Sequence, residues 1–155
     1  MKRSTRKEQD PDLGILAVQL SGRVQREIFT RAAEDGFDDV RPRHGAVLAY
    51  LDPEGTRPGE LARLAGRNKQ TMGAILDELE RLGYVRRAPD PADRRARLIV
   101  PTERGLRLME ASDDFVAAIE RQLSDALGPD RYADFRTALR GSLAALPHGG
   151  HDTEG

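Results

Sequence analysis

From Asp12 to Phe37 the chain reads DLGILAVQLSGRVQREIFTRAAEDGF, with apolar residues at Leu13, Leu16, Ala17, Leu20, Val24, Ile28 and Ala32. Steps of three and four place them along one face of a helix, and Gly36 supplies its stop. Pro42 suits a first helical position, and HGAVLAYL continues as a short second helix until Asp52-Pro53-Glu54-Gly55 turns the chain. PGELARLA, opened by Pro58 and ended by Gly66, predicts a third helix. Asn68 is placed to cap a fourth, KQTMGAILDELERL, in which Met72, Ile75, Leu76 and Leu79 form an i, i+3, i+4, i+7 stripe. Two short helices separated by a Gly-containing turn have helix-turn-helix spacing.

The period then changes. YVRRA and RLIV are short and partly β-branched, and the Pro- and Asp-rich stretch between them predicts a hairpin whose strands end before it. Pro101 closes the second strand and Thr102 is placed to cap a long fifth helix. There Met109, Val116 and Leu123 recur every seven residues, interleaved with Ser112, Ile119 and Ala126. Gly128-Pro129 breaks that helix, and a sixth follows with Tyr132, Phe135, Leu139, Leu143 and Leu146 on one side. The polar residues 1–10 and 147–155 read as tails. The fold expected is mainly α with a small β-hairpin wing: a winged helix-turn-helix over 40–103, and a helical dimerisation region formed by 11–35 and 104–146.

A chain of 155 residues suits one compact domain with an added oligomerisation element. No segment approaches the roughly 20 apolar residues of a membrane span, so a soluble, cytoplasmic protein is expected. Cysteine is absent, which excludes disulfides, a thiolate nucleophile and cysteine-ligated metal. With one histidine in the folded body and no phosphate-binding G-x-x-x-x-G-K, no enzymatic constellation is visible and no cofactor is expected. His148 and His151 form only a two-ligand pair in a Gly-rich end, so no metal site is assigned.

The formal net charge of −1 hides an asymmetry. From Arg57 to Arg107 there are twelve basic and seven acidic side chains, a net of +5, which leaves −6 for the remainder. A basic middle between acidic flanks is the distribution of a chain that meets a polyanion at one place and protein or water elsewhere. On the fourth helix the apolar stripe faces inward, so Lys69, Gln70 and Gly73 project from the opposite side. The helix N-terminus favours phosphate, and Gln70 carries the donor and acceptor that read adenine. Gly73 in mid-helix costs about 1 kcal/mol against alanine, a cost consistent either with close backbone approach to a groove or with helix packing.

Three stretches carry a family resemblance: GELARLAGRNKQTMGAILDELERLGYVRR, then DPADRR in the hairpin, then PTERG at the restart of the long helix. Over Val40 to Gly105, with compatible flanking helices, the chain resembles the MarR family of winged-helix transcriptional regulators. The resemblance implies a homodimer that binds double-stranded DNA at a pseudo-palindromic operator, most simply a repressor released by a small-molecule effector. The alternative is a ligand-blind architectural or partner-regulated DNA-binding protein.

The residues expected at the DNA are Arg67, Asn68, Lys69, Gln70, Thr71 and Gly73 on the helix-turn-helix and Arg94, Arg95 and Arg97 on the wing. By the same resemblance Arg94 enters the minor groove, and Asp90 and Asp93 brace the wing by fixing one guanidinium so that another points outward. The resemblance also implies an effector pocket between the dimerisation helices and the DNA-binding lobe, with His44 as the candidate ligand-binding residue and a structural histidine as the alternative. One departure matters: where many members have a polar residue and an arginine in mid-recognition helix, this chain has Gly73-Ala74, which leaves base reading to Lys69, Gln70 and Thr71.

Overall fold

The computed structural model describes residues 1–146; His148 and His151 lie outside the described residues. Helices α1 (Arg3–Gln9) and α2 (Leu13–Glu34) open the chain, followed by a 3-10 turn at Pro42–His44 and the one-turn α3 (Gly45–Leu48). Then come α4 (Pro58–Ala65), α5 (Lys69–Arg81), β1 (Val85–Asp90), β2 (Asp93–Pro101), α6 (Glu103–Leu127) and α7 (Pro129–Ala145). The chain divides into one compact unit through Phe115 and a second from Val116.

Two sequence expectations need correction. Residues 1–10, read as a tail, contain α1, a seven-residue helix with no buried residue. Its side chains are almost all polar, so apolar periodicity had nothing to register. The hairpin strands continue through the stretch expected to end them. Pro89 and Asp90 belong to β1, and only Pro91 and Ala92 lie between the strands. Proline is tolerated here because a two-stranded sheet consists entirely of edges.

The core of the first unit explains why these elements sit together. Met72, Ile75, Leu76 and Leu79, the stripe on α5, are all buried and share one cluster with Leu61 of α4, Val47 of α3, Val85 and Ile99 of the hairpin, and Leu108 of α6. Each such side chain contributes about 1.5–3 kcal/mol by leaving water. Between α4 and α5 the chain reverses at Gly66, whose φ of 63° lies in the left-handed region that glycine occupies without a Cβ penalty. Asn68 caps α5 by accepting from the Thr71 amide at 2.7 Å.

The T-x-x-G restart of α6 is a packing device. Thr102 donates its hydroxyl to the Gly83 carbonyl at 2.6 Å, and its Oγ1 accepts from the Gly105 amide at 3.1 Å. A Cβ on Gly105 would run into the Tyr84 carbonyl oxygen, so only glycine lets α6 pass this close to the strand. Beneath it the buried Tyr84 hydroxyl donates to Asp39. Arg104 donates to both Asp39 oxygens and to the Leu82 carbonyl, and lies 4.2 Å from the centre of the Tyr84 ring. Burial pulls the Asp39 carboxyl up, but the hydrogen bonds from Tyr84 and Arg104 outweigh it and hold the group below its usual range.

Candidate nucleic-acid interface

Of the twelve cations between Arg57 and Arg107, five are paired with carboxylates: Arg57 with Asp90, Arg63 with Glu60, Arg87 with Asp77 and Glu80, Arg104 with Asp39, and Arg107 with Glu103. The other seven are Arg67, Lys69, Arg81, Arg86, Arg94, Arg95 and Arg97, and none of them has an acidic partner among the described residues. Five of these seven are the cations that the sequence nominates for DNA. Free charge is therefore concentrated at the start of α5 and on the wing, where a phosphate can be met without first breaking an ion pair.

Arg67, Asn68, Lys69, Gln70 and Thr71 are all exposed around the first turn of α5. Gly73 has nothing within 4 Å of the place a Cβ would occupy. The packing explanation for this glycine therefore fails, and the open space fits close approach by something from outside. The acids at the other end of α5 are occupied: Arg87 holds Asp77 and Glu80, while Arg43 grips Glu78 through both Nε and Nη2. Arg43 first, and His44 second, hold the Glu78 carboxyl down at about 2.

On the wing the strands pair from Val85↔Pro101 to Pro89↔Arg97, and the next pair is Asp90↔Asp93. Between those last two pairs β1 advances one residue and β2 four, so Arg94, Arg95 and Ala96 bulge from the ladder. Pro89, which has no N–H to donate, stands at the shift. Bulges re-aim side chains, and this one carries two exposed, unpaired arginines.

The acids beside them do not act as expected. Neither Asp90 nor Asp93 pairs with Arg94, Arg95 or Arg97. Asp90 is buried, accepts the Ala92 amide at 2.9 Å, and receives Arg57 Nε at 2.7 Å; Asp93 accepts the Arg95 amide at 3.0 Å. The Ala92 amide, then Arg57, keep the Asp90 carboxyl below its usual range. The guanidinium that is fixed thus comes from the N-cap of α4. Sequence reasoning misses Arg57 because it is 33 residues from its partner, and no local pattern joins them.

His44 also needs correction. Its imidazole is completely buried, with Nδ1 accepting from the Arg41 amide at 2.9 Å and Nε2 3.0 Å from a Glu78 oxygen, off the line of a well-formed hydrogen bond. An open groove of about 850 Å³ does lie nearby, but it is lined by Arg26, Phe29 and Ala33 of α2 and by Val40, Arg41 and Pro42, and His44 does not reach it. Among the described residues no group of three metal-ligating side chains exists, and no helix is long and apolar enough to cross a membrane.

Residues 38–96 match the model of the MarR family. The transcriptional regulator HosA of Escherichia coli O111:H- is 26% identical over 108 residues, 70% of this chain and 80% of that protein. Among solved structures, CouR from Rhodococcus jostii RHA1 bound to p-coumaroyl-CoA superposes with a TM-score of 0.69 at 28% identity, covering 88% of this chain and 94% of that one. The repressor CouR bound to a 23-mer DNA duplex gives 0.68 at 28% identity, over 91% and 96%. The family match spans the helix-turn-helix and the bulged arginines, and the fold around them agrees over most of the chain: residues 38–96 are similar to the MarR family, and the chain as a whole resembles DNA-binding transcriptional regulators of that kind.

Proposed function

We propose that the protein is a homodimeric repressor that binds a pseudo-palindromic operator in the cytoplasm and is released by a small-molecule effector. In this reading residues 40–103 read DNA, and residues 11–35 and 104–146 join the two subunits. The observation that carries it is the separation of cations: all five nominated at the start of α5 and on the wing are free of carboxylates among the described residues, while Arg57, Arg63, Arg87, Arg104 and Arg107 are committed to them. Lys69, Gln70 and Thr71 meet base edges in the major groove, Arg67 meets phosphate, and Arg94 enters the minor groove, with Arg95 and Arg97 beside it.

The dimer is supported by apolar surface that neither unit covers for itself. On α7, Phe135, Leu139 and Leu143 recur on one face and are exposed; on α2, Leu13, Leu16 and Val18 are exposed. A face of that kind on a closed, symmetric oligomer is buried against its own copy. The effector reading is supported by the groove between α2 and the 40–42 segment, in which apolar Phe29, Ala33, Val40 and Pro42 stand among charges of both signs, Arg26 and Arg41 with Glu34 and Asp38. An aromatic or amphipathic ligand matches that lining. Its wall also bears on the recognition helix, because the Arg41 amide holds His44, and Arg43 holds Glu78 of α5. A coupling of 1–3 kcal/mol between such a site and the operator would give about a 5- to 150-fold response.

The test is selection of bound duplexes from a random-sequence library, followed by light scattering of the free protein. A two-fold symmetric motif, relaxed at one symmetric pair of positions by Gln70→Ala, supports the reading. Selection of no motif, or a monomer at micromolar concentration, overturns it. Operator release by an aromatic or amphipathic compound supports the effector; equal affinity across a broad library of such compounds favours the ligand-blind alternative.

A further inference from the structure

We propose that Arg57 is the positioning residue of the wing: through Asp90 it sets the pose in which the bulged arginines are presented to DNA. The inference rests on the reading that the wing enters the minor groove, and it assigns that pose to a side chain outside the hairpin.

Residues 56 and 57 hold the wing at two points. Thr56 exchanges backbone hydrogen bonds with Ile99 near the root of β2, at 2.9 and 2.8 Å. Ile99 pairs with Arg87, and Asp90 lies three residues further along β1, about 10 Å at the usual strand rise. The extended Arg57 side chain reaches Asp90 from the neighbouring position. Its Nε and Nη2 both lie 2.7 Å from Asp90 Oδ2, while Oδ1 accepts from Ala92 in the turn. One carboxylate thereby joins the tip of the hairpin to the N-terminus of α4.

That link matters because little else restrains the tip. Beyond Pro89↔Arg97 a single pair, Asp90↔Asp93, closes the hairpin, and the bulge holding Arg94 and Arg95 lies between the two. An isolated two-stranded ladder is marginal in water, and one interrupted by a three-residue bulge is weaker still. An ion pair in which Nε and Nη2 converge on one oxygen of a buried carboxylate, whose other oxygen is held by the turn, supplies orientation as well as attraction. Arg57 is committed to this carboxylate, so its effect on DNA passes through the wing and not through a phosphate of its own.

The prediction separates positioning from direct engagement of DNA. Using the duplex that the wild-type protein selects, affinity is measured at several salt concentrations for wild type, Arg94→Ala, Arg57→Ala, Arg57→Lys and Asp90→Asn. Arg57→Ala and Asp90→Asn are expected to weaken binding about tenfold while keeping the wild-type slope of log affinity against log salt. Arg94→Ala should lower that slope by roughly one for each phosphate it no longer neutralises. Arg57→Lys should recover most of the affinity. Hydrogen exchange on the free proteins should show faster exchange at the Ala92 and Arg95 amides in Arg57→Ala and unchanged protection on α5, which excludes general unfolding. A slope that falls in Arg57→Ala as it does in Arg94→Ala overturns the proposal, as does unchanged affinity in both Arg57→Ala and Asp90→Asn while Arg94→Ala binds weakly. If Arg94→Ala itself binds like wild type, the wing reading fails and the positioning role falls with it.

Discussion

The two ends of α5 carry opposite charges and do different things. At the start, Arg67 and Lys69 stand free beside Gln70 and Thr71. At the far end Asp77, Glu78 and Glu80 are each bound by an arginine from another segment, Arg87 or Arg43. The wing repeats the division, with free arginines on the bulge and a committed one, Arg87, nearer its root. A cation whose carboxylate lies within 4 Å serves the fold, because releasing it for DNA would cost the pair. A cation with no such partner loses only water and counterions when phosphate arrives, and counterion release favours the complex. Net charge along the sequence cannot distinguish the two kinds; the ion-pair map does.

The distinction is broken most forcefully at Arg104. Replacing it with alanine removes hydrogen bonds to Leu82 and Asp39 and the cation over Tyr84, and leaves Asp39 with the Tyr84 hydroxyl alone. Charged hydrogen bonds of this kind contribute about 1.5–3 kcal/mol, discounted here because Arg104 is partly exposed, so Arg104→Ala should lower stability by about 2 kcal/mol. The salt slope of operator binding should stay at its wild-type value. Denaturant titration and binding at several salt concentrations check both halves; a changed slope with unchanged stability would put Arg104 in the wrong class.

Arg94→Ala should behave in the opposite way. The side chain touches no acid, so the midpoint of unfolding should stay put while operator affinity falls about tenfold, or about 1.4 kcal/mol, and the salt slope decreases. An Arg94→Ala protein that melts several degrees lower would show that the bulge is held by its arginines and would blur the comparison.

What the sequence makes legible follows the range of the interactions. The stripe on α5, the Asn68 cap and the order of helix-turn-helix then hairpin are local, and periodicity reports local structure. The free cations follow from the same local pattern plus family resemblance. Two committed pairs, Arg63 with Glu60 and Arg107 with Glu103, also sit at helical spacing, but other committed cations have partners far away in sequence: Arg57 to Asp90, Arg43 to Glu78, and Arg104 to Asp39 span 33, 35 and 65 residues. No pattern of three, four or two residues can reveal them. For the same reason a local reading gives the brace on Asp90 to the neighbouring arginines, and turns His44, whose Nε2 faces Glu78, toward a ligand.

Glu78 offers a weaker test, read through pH. Its folded carboxyl sits at about 2, against an ordinary value of 4.5, chiefly because of Arg43. A depressed carboxyl contributes stability above its unfolded value and loses that contribution as pH falls toward the folded one. Wild type should therefore exceed Glu78→Gln in stability above about pH 4.5, and the difference should shrink to nothing as pH approaches 2. The effect is small, since Arg43 is more than half exposed and its pair is screened by solvent. Unfolding midpoints measured from about pH 6 to about pH 2 decide it, and a difference that persists at the acid end would mean that Glu78 acts by packing and not by charge.

The smallest effect expected is at Asp93, where the sign carries the information. Asp93 is exposed and adjoins Arg94, so if its charge were its only property, Asp93→Ala would relieve repulsion of phosphate and tighten binding. Its Oδ1, however, accepts the Arg95 amide at 3.0 Å, a local turn that fixes the backbone where the bulge begins. An aspartate two residues before the amide it binds stabilises such a turn by about 0.5–1.5 kcal/mol, and its removal spreads the bulge over more conformations before DNA can select one. That cost is opposed by the relieved repulsion, which is screened over about 10 Å at ordinary salt. The balance is a net weakening of about two- to threefold, largest at high salt, where the repulsive part is screened and the turn is not. Titration of Asp93→Ala against wild type on one operator at low and high salt measures that trend, and tighter binding at either salt would mean that the turn contributes nothing to the pose of Arg94.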